Sequence, residues 1–283
     1  MNKIVIGTAN FFNNYGVLKS NVKKDEVLKI LRYIRKKKYN RIDTSFEYDD
    51  FSKLSKELNF NNFKISSKIF LKKKFIKSRN FSKNLDYLIR AKLKKFDIEN
   101  FNIFFLHNFD SLNLSEIKKV LKEFNKFKKN KIIKNIGASI YNTNSVKKII
   151  KLKQVKVVQF PLSIIDRKFL SKNIISSLKK NNIKIQVRSI FAQGLIFKKN
   201  YTKKINDLID EINNFNLEIL DVSLAFIKKF KFIDTVVIGV NSFKQFKQIE
   251  NSFRKPRLNM KKINSIINKR KKSTFDLRKL NEK

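Results

Sequence analysis

Four side chains able to hold a proton or fix a charge fall at the ends of three successive apolar segments. Asp43 and Tyr48 lie in Arg41-Ile42-Asp43-Thr44-Ser45-Phe46-Glu47-Tyr48, Lys68 ends Ile65-Ser66-Ser67-Lys68, and His107 follows Phe104-Phe105-Leu106. His107 is the 1 histidine of the chain, and it closes an otherwise apolar run. A phenol, an ammonium, an imidazole and a carboxylate gathered on one rim are a set suited to proton transfer rather than to metal or sulfur chemistry. Cys is 0, which excludes a disulfide framework, an iron–sulfur site and a thiolate zinc site, and no metal is expected.

Residues so far apart meet only if the intervening elements bring them together. Short, β-branched apolar runs at 4–6, 41–44, 64–70, 102–106, 132–138, 155–160, 183–187 and 235–240 read as strands. Between them, Val27, Ile30, Leu31 and Ile34 follow the helical i, i+3, i+4, i+7 pattern, as do Ile117, Val120, Leu121 and Phe124, and Ile205, Leu208, Ile209 and Ile212. Leu85, Leu88, Ile89 and Leu93 come close to it. Asn21, Ser115, Asn144 and Ser242 sit where helix N-caps are expected. Eight strands alternating with helices predict a (β/α)8 TIM barrel in a single domain, with a doubly wound sheet as the alternative. The expected division is a barrel over 1–256 followed by a basic C-terminal helix and tail over 257–283, the helix running 260–272.

Glycines fall where such a barrel would place its active face. Gly7, Gly137 and Gly239 end predicted strands one, five and eight, and Gly16 and Gly194 lie in the loops after strands one and seven. Ligand approach or ordinary turn chemistry would each ask for glycine there. The helix-to-strand turns at the other face carry Lys and Asn instead.

The 283 residues hold 66 Lys+Arg against 23 Asp+Glu, a formal net charge of +43. Such a charge attracts polyanions at low salt. Yet the basic residues are spread over Arg35-Lys36-Lys37-Lys38, Lys72–Lys74, Lys128–Lys129, Lys179–Lys180 and Lys228–Lys229, and only Lys269-Arg270-Lys271-Lys272 is concentrated. The many Phe residues lie on apolar helix faces and strands rather than interleaved with Lys, so solvated faces are expected and a specific nucleic-acid groove is not. No apolar run is long enough to span a bilayer, and 1–7 carries no signal-like segment. The expectation is a reduced, cytoplasmic protein, with no membrane partner, kept monomeric by its self-repelling surface.

The residues on the strand ends resemble the aldo-keto reductase superfamily, over most of the chain. Gly7-Thr8-Ala9 is similar to its opening glycine motif, and Asp43-Thr44-Ser45 with Tyr48 five residues on resembles its Asp-Thr-Ala-x-x-Tyr block. Lys68 and His107 fall where the remaining members of its tetrad do. Gly137-Ala138-Ser139, Gln159, Arg188-Ser189, Gln193-Gly194 and Ile238-Gly239-Val240 resemble its cofactor-side motifs. The resemblance implies hydride transfer from NADPH, with NADH as the alternative, to a small carbonyl substrate.

The resemblance further implies a role for each residue. Tyr48 is the general acid, Lys68 lowers its pKa, Asp43 holds the ammonium, and His107 donates to the carbonyl oxygen and orients it. Ser139 and Gln159 would meet the nicotinamide carboxamide, and Gly7, Thr8, Ser189, Gln193 and Gly194 line the cofactor. Gly239, Gln245 and Gln248 would cradle the pyrophosphate and adenosine at a helix N-terminus. Three positions depart from the pattern: Ile140 follows Ser139 where Asn is commoner, Arg188 replaces a stacking aromatic ring, and Gln245 replaces the arginine that meets the 2′-phosphate. An N-terminal hairpin and a long aromatic C-terminal loop are missing, which implies an open pocket. The opening Asn13-Asn14-Tyr15-Gly16 is similar to bacterial members linked to sugar and cell-surface metabolism, implying a small or sugar-like substrate. The competing reading is a catalytically silent nucleotide-binding barrel acting as a regulatory subunit or sensor.

Overall fold

A computed structural model describes residues 3–12, 16, 22–37, 39–48, 51–198, 202–255, 258 and 260–268. Eight parallel strands close into a barrel in sequence order: β1 (Ile4–Gly7), β2 (Arg41–Asp43), β3 (Lys64–Ile69), β4 (Phe101–Leu106), β5 (Ile133–Ser139), β6 (Val155–Pro161), β7 (Lys184–Arg188) and β8 (Thr235–Gly239). Closure is made by β1 on β8, with Ile4 opposite Val236 and Gly7 opposite Gly239. The doubly wound alternative is thereby excluded. The helices are α1 (Lys24–Lys36), α2 (Lys73–Lys77), α3 (Phe81–Phe96), α4 (Leu114–Lys129), α5 (Ser145–Lys151), α6 (Lys172–Lys180), α7 (Lys203–Asn214), α8 (Ile219–Lys228), α9 (Phe243–Arg254) and α10 (Met260–Asn268).

The helical stripes face the barrel as their periodicity requires. Val27, Ile30, Leu31 and Ile34 of α1 and Ile117, Val120, Leu121 and Phe124 of α4 are all buried. On α3 the buried line is Leu85, Ile89 and Leu93, while Leu88 is left 39% exposed one step off that face. One cap differs from expectation. The N-cap of α4 is Asn113, not Ser115: Asn113 accepts from the Glu116 N–H at 2.9 Å, and the Glu116 carboxylate accepts from Asn113 N at 3.0 Å, closing a capping box. Asn144 stands at the cap of α5 without a side-chain capping bond, whereas Ser242 caps α9 by accepting from Gln245 N at 3.1 Å. Asn21 lies outside the described residues.

Helix-to-strand turns without glycine use the left-handed region anyway. Asp97, Lys131 and Asn182 have φ of 53°, 60° and 53° ahead of β4, β5 and β7. Among the glycines, Gly137 is explained by packing: a Cβ there would lie 2.3 Å from Cδ1 of Phe105, whose ring fills the space. That requirement comes from a neighbouring core side chain and needs no ligand. Gly16 has φ +78°, and a Cβ on it would meet the Gln193 carbonyl oxygen at 2.8 Å, so the loop after β1 touches the loop after β7 across the barrel mouth.

The C-terminal helix is observed over Met260–Asn268, and the remaining residues of its expected span lie outside the described ones. It is part of the packed body: Ile263, Ile266 and Ile267 are buried, and Asn264 Oδ1 accepts from Lys229 Nζ at 2.9 Å. Among the described residues, no helix is long and apolar enough to cross a membrane.

Candidate active site

The rim between β2 and β4 is built by ladder bonds that continue past the strand ends. Thr44 N donates to Ser66 O and Phe46 N to Lys68 O, both at 2.9 Å, so the chain after β2 stays against β3 until it turns at Tyr48. His107 N donates to Ile69 O at 3.0 Å, extending the pairing of β4 by one residue. Asn108 then clamps the neighbouring loop like a peptide group, its Oδ1 accepting from Leu71 N and its Nδ2 donating to Leu71 O, each at 3.0 Å. These bonds bring Asp43, Tyr48, Lys68 and His107 to one end of the barrel, as their strand positions predicted.

Beneath the rim lies a buried polar network. Lys68 Nζ sits 2.5 Å from Asp43 Oδ1 and donates to Thr44 O at 3.1 Å; both side chains of the ion pair are almost fully buried. Gln159 Nε2 donates to Asp43 Oδ2 at 2.8 Å and to Gln186 Oε1 at 2.6 Å, and Gln186 Nε2 donates to Thr235 Oγ1 at 3.0 Å. Both carboxylate oxygens are therefore satisfied, which a buried ion pair requires. Gln186 had no assigned part, although it alternates with buried Ile185 and Val187 and shares the inward parity of Arg188. Ser139 Oγ lies 3.5 Å from Gln159 Oε1, and both residues are fully buried below the rim.

Tyr48 is proton-loaded in this arrangement. Burial raises its phenol above the ordinary value, the Asp43 carboxylate raises it further, and Arg188 opposes them. Lys68 Nζ stands over the face of the ring, 5.2 Å from its centroid. On balance the Tyr48 pKa is raised, so the net lowering expected from Lys68 is not found.

His107 has a partner that no sequence motif signalled. Its Nδ1 lies 3.1 Å from Glu47 Oε2, and Glu47 Oε1 accepts from Phe70 N at 2.6 Å. The Ser45 hydroxyl donates to the same carboxylate. Burial alone would raise the Glu47 pKa, but the hydrogen bonds from His107, Ser45 and Phe70 outweigh it and hold the carboxyl below its ordinary value. Burial lowers the His107 pKa, helped by Lys68 and Arg188 and opposed by Glu47.

A groove leads away from Tyr48, Lys68 and Asp43 toward the N-terminus of α9. It brings together Gly7, Thr8, Arg188, Ser189, Gln193, Gly194, Gly239 and Gln245 from the expected cofactor set. Asn10 and Asn241, not foreseen, join its two sides: the Asn10 amide donates to Asn241 Oδ1. Gln248 is exposed further along α9 and is not among the lining residues. Arg188 lies with its guanidinium carbon 4.1 Å from the Tyr141 ring centroid, so Tyr141 covers one face of the plane expected to stack on a nicotinamide. Tyr141 is itself held by Asp110, which accepts from Tyr141 N at 2.6 Å.

At the far end, Gln245 Oε1 accepts from Asn241 N at 2.7 Å, and Glu26 of α1 accepts from Phe243 N at 2.6 Å. Lys247 is turned to Glu250 and Tyr33, at 2.9 and 2.8 Å, while Lys244 is exposed. The groove is lined by residues at the ends of β1, β7 and β8 and in the loops that follow them. It also holds a buried acceptor, Gln193 Oε1, with no hydrogen-bond partner among the described residues. No group of three or more His, Cys, Asp or Glu residues able to hold a metal ion occurs among the described residues.

Comparison with known proteins agrees with the fold. Three solved structures share the fold. An aldo-keto reductase from Bacillus halodurans in its holo form superposes with a TM-score of 0.75 at 14% identity, over 97% of this chain and 94% of that one. Its apo form gives 0.71 at 16% identity, over 97% and 98%. A thermostable aldo-keto reductase in complex with the inhibitor epalrestat gives 0.70 at 16% identity, over 94% of each chain. No curated protein matches the sequence. The family model described as "Aldo/keto reductase family" matches residues 3–271, and the chain, an NAD(P)-dependent oxidoreductase by that membership, belongs to the aldo/keto reductase family.

Proposed function

We propose that the protein reduces a small aldehyde, ketone or sugar carbonyl, with Tyr48 giving the proton. The observation that carries this reading is the buried Lys68–Asp43 pair lying against a proton-loaded Tyr48 at the head of the groove. A reduced nicotinamide, when bound, supplies the hydride. The remaining work falls to the chain itself. Charge developing on the carbonyl oxygen is met by the Tyr48 phenol, whose proton passes to that oxygen. Lys68, over the ring face, stabilises the phenolate left behind, and Asp43 and Thr44 O keep the ammonium in place. Gln159 Nε2 is committed to Asp43, so the acceptor end offered to a carboxamide is Gln159 Oε1, beside Ser139. Gly7, Thr8, Ser189, Gln193 and Gly194 would hold the middle of the dinucleotide, and Gly239 and Gln245 its far end.

The NADP form implied by the resemblance would set its 2′-phosphate near Lys244 and against Glu26, so the preference rests on the balance of those two charges. The net charge of +43 supports a monomer. The test is Tyr48→Phe, assayed with NADPH and a panel of small aldehydes. Loss of turnover with cofactor fluorescence titration unchanged supports the reading; retained turnover refutes it. Wild-type binding without turnover on any carbonyl would favour the silent barrel.

A further inference from the structure

The proton on His107 is the point at which this site departs from a simple donor. Glu47 lies in the turn after β2, directly before Tyr48, and its carboxylate accepts from three groups. Phe70 N is on Oε1 at 2.6 Å, and His107 Nδ1 is on Oε2 at 3.1 Å, together with the Ser45 hydroxyl. An ionised carboxylate only accepts, so the ring nitrogen facing it carries a hydrogen. A neutral imidazole has a single N–H; placing it on Nδ1 leaves Nε2 as a lone pair. Such a ring cannot donate through Nε2 to a carbonyl oxygen. The imidazolium can, since both of its nitrogens carry hydrogen.

We propose that Glu47 is a positioning residue which fixes the proton of neutral His107 on Nδ1, so that His107 donates to a carbonyl substrate only as the imidazolium. The place of the proton stands on the geometry alone; the catalytic consequence rests on the reductase reading above. Four sets of groups surround the ring's charge. Glu47 after β2 is anionic, Lys68 of β3 is cationic but paired with Asp43, Arg188 of β7 is cationic, and Tyr48 and Tyr141 are phenols near Arg188. Glu47 is therefore the anion that favours the imidazolium, against Lys68 and Arg188. Reduction should then fall as pH rises through the titration of His107, by about tenfold per pH unit beyond it.

Because the chain has 1 histidine, the test needs no assignment. The full chain labelled with ¹⁵N-histidine is titrated by NMR, and the ring nitrogen shifts report which nitrogen is protonated. The expected result above the titration point is a protonated Nδ1 and a bare Nε2. In Glu47→Gln the carboxamide can face either tautomer, so the population moves toward Nε2–H and the midpoint falls by roughly one unit. The fall of kcat for aldehyde reduction with rising pH should flatten in this variant, because a neutral ring with its hydrogen on Nε2 can donate, while cofactor affinity holds. A wild-type ring protonated on Nε2 overturns the proposal, and that measurement stands even if the variant fails to fold. An unmoved tautomer and midpoint in a folded Glu47→Gln overturns it equally. A ring protonated on Nδ1 in a protein that turns over no carbonyl upholds the role of Glu47 and refutes the reductase reading instead.

Discussion

Replacing Asp43 by Asn keeps the shape of the side chain and removes its charge. At 2.5 Å from Lys68 Nζ, an effective dielectric of about 20 gives a gross attraction of about 7 kcal/mol. Much of that offsets the cost of burying both ions, and the net loss on removing one partner is about 3–5 kcal/mol, because the other is left as an uncompensated buried charge. Geometry adds to it. Asp43 accepts from Lys68 on one oxygen and from Gln159 on the other, whereas Asn offers one oxygen, so one donor would face an NH2 group. Thermal and urea unfolding should show the loss, as a fall in Tm of roughly 5–8 °C. Lys68→Met should be similarly harmful alone. The double variant should cost about 2–3 kcal/mol less than the sum, since it removes both charges together. Asp43→Asn within about 1 kcal/mol of wild type, or a strictly additive cycle, would refute the view that this pair holds its charges against each other in a dry site.

Three further outcomes can be checked. Gly137→Ala should destabilise by about 1–3 kcal/mol through the Phe105 ring at 2.3 Å, and Phe105→Leu in the same chain should recover part of it in urea unfolding. Glu250 is buried between α1 and α9; burial raises its carboxyl, but hydrogen bonds from Tyr39, Tyr33 and Lys247 bring it down to about 2. Below its unfolded value of about 4.5 the unfolded chain binds more protons, so stability should be lost as pH falls from there toward about 2, and Glu250→Gln should flatten that limb of the unfolding curve. Lys244→Ala should weaken NADPH several-fold with NADH little changed, and Glu26→Gln should strengthen NADPH, both read by fluorescence titration at about 0.3 M salt.

The barrel was legible because its signals are local and repeated. All eight predicted strands overlap observed ones, since β-branched runs between helical stripes leave little else to build. The meeting of the four candidate residues at one rim was legible for the same reason, Asp43 and Lys68 lying in strands, His107 directly after one, and Tyr48 in the turn after β2. What escaped depends on contacts between distant segments. Glu47 stood inside the quoted Asp43–Tyr48 block, yet its part is defined by His107, sixty positions on. The sign of the Tyr48 shift follows from its burial and from the Asp43 carboxylate beside it, and both are set by the tertiary fold. Ser115 lost the cap of α4 because Asn113 is better placed, and the Ser115 hydroxyl donates to Asn113 Oδ1 at 2.8 Å.

The left-handed turns at Asp97, Lys131 and Asn182 have a consequence for how this protein can be improved. Each holds a residue with a Cβ in a conformation that glycine adopts freely, at a cost of about 1 kcal/mol for Asp and Lys and less for Asn. All three precede strands, and so lie at the end of the barrel away from the catalytic rim. The chain has only 5 glycines and puts none of them in these three turns. The lower face is therefore open to stabilising substitutions that leave the upper one untouched.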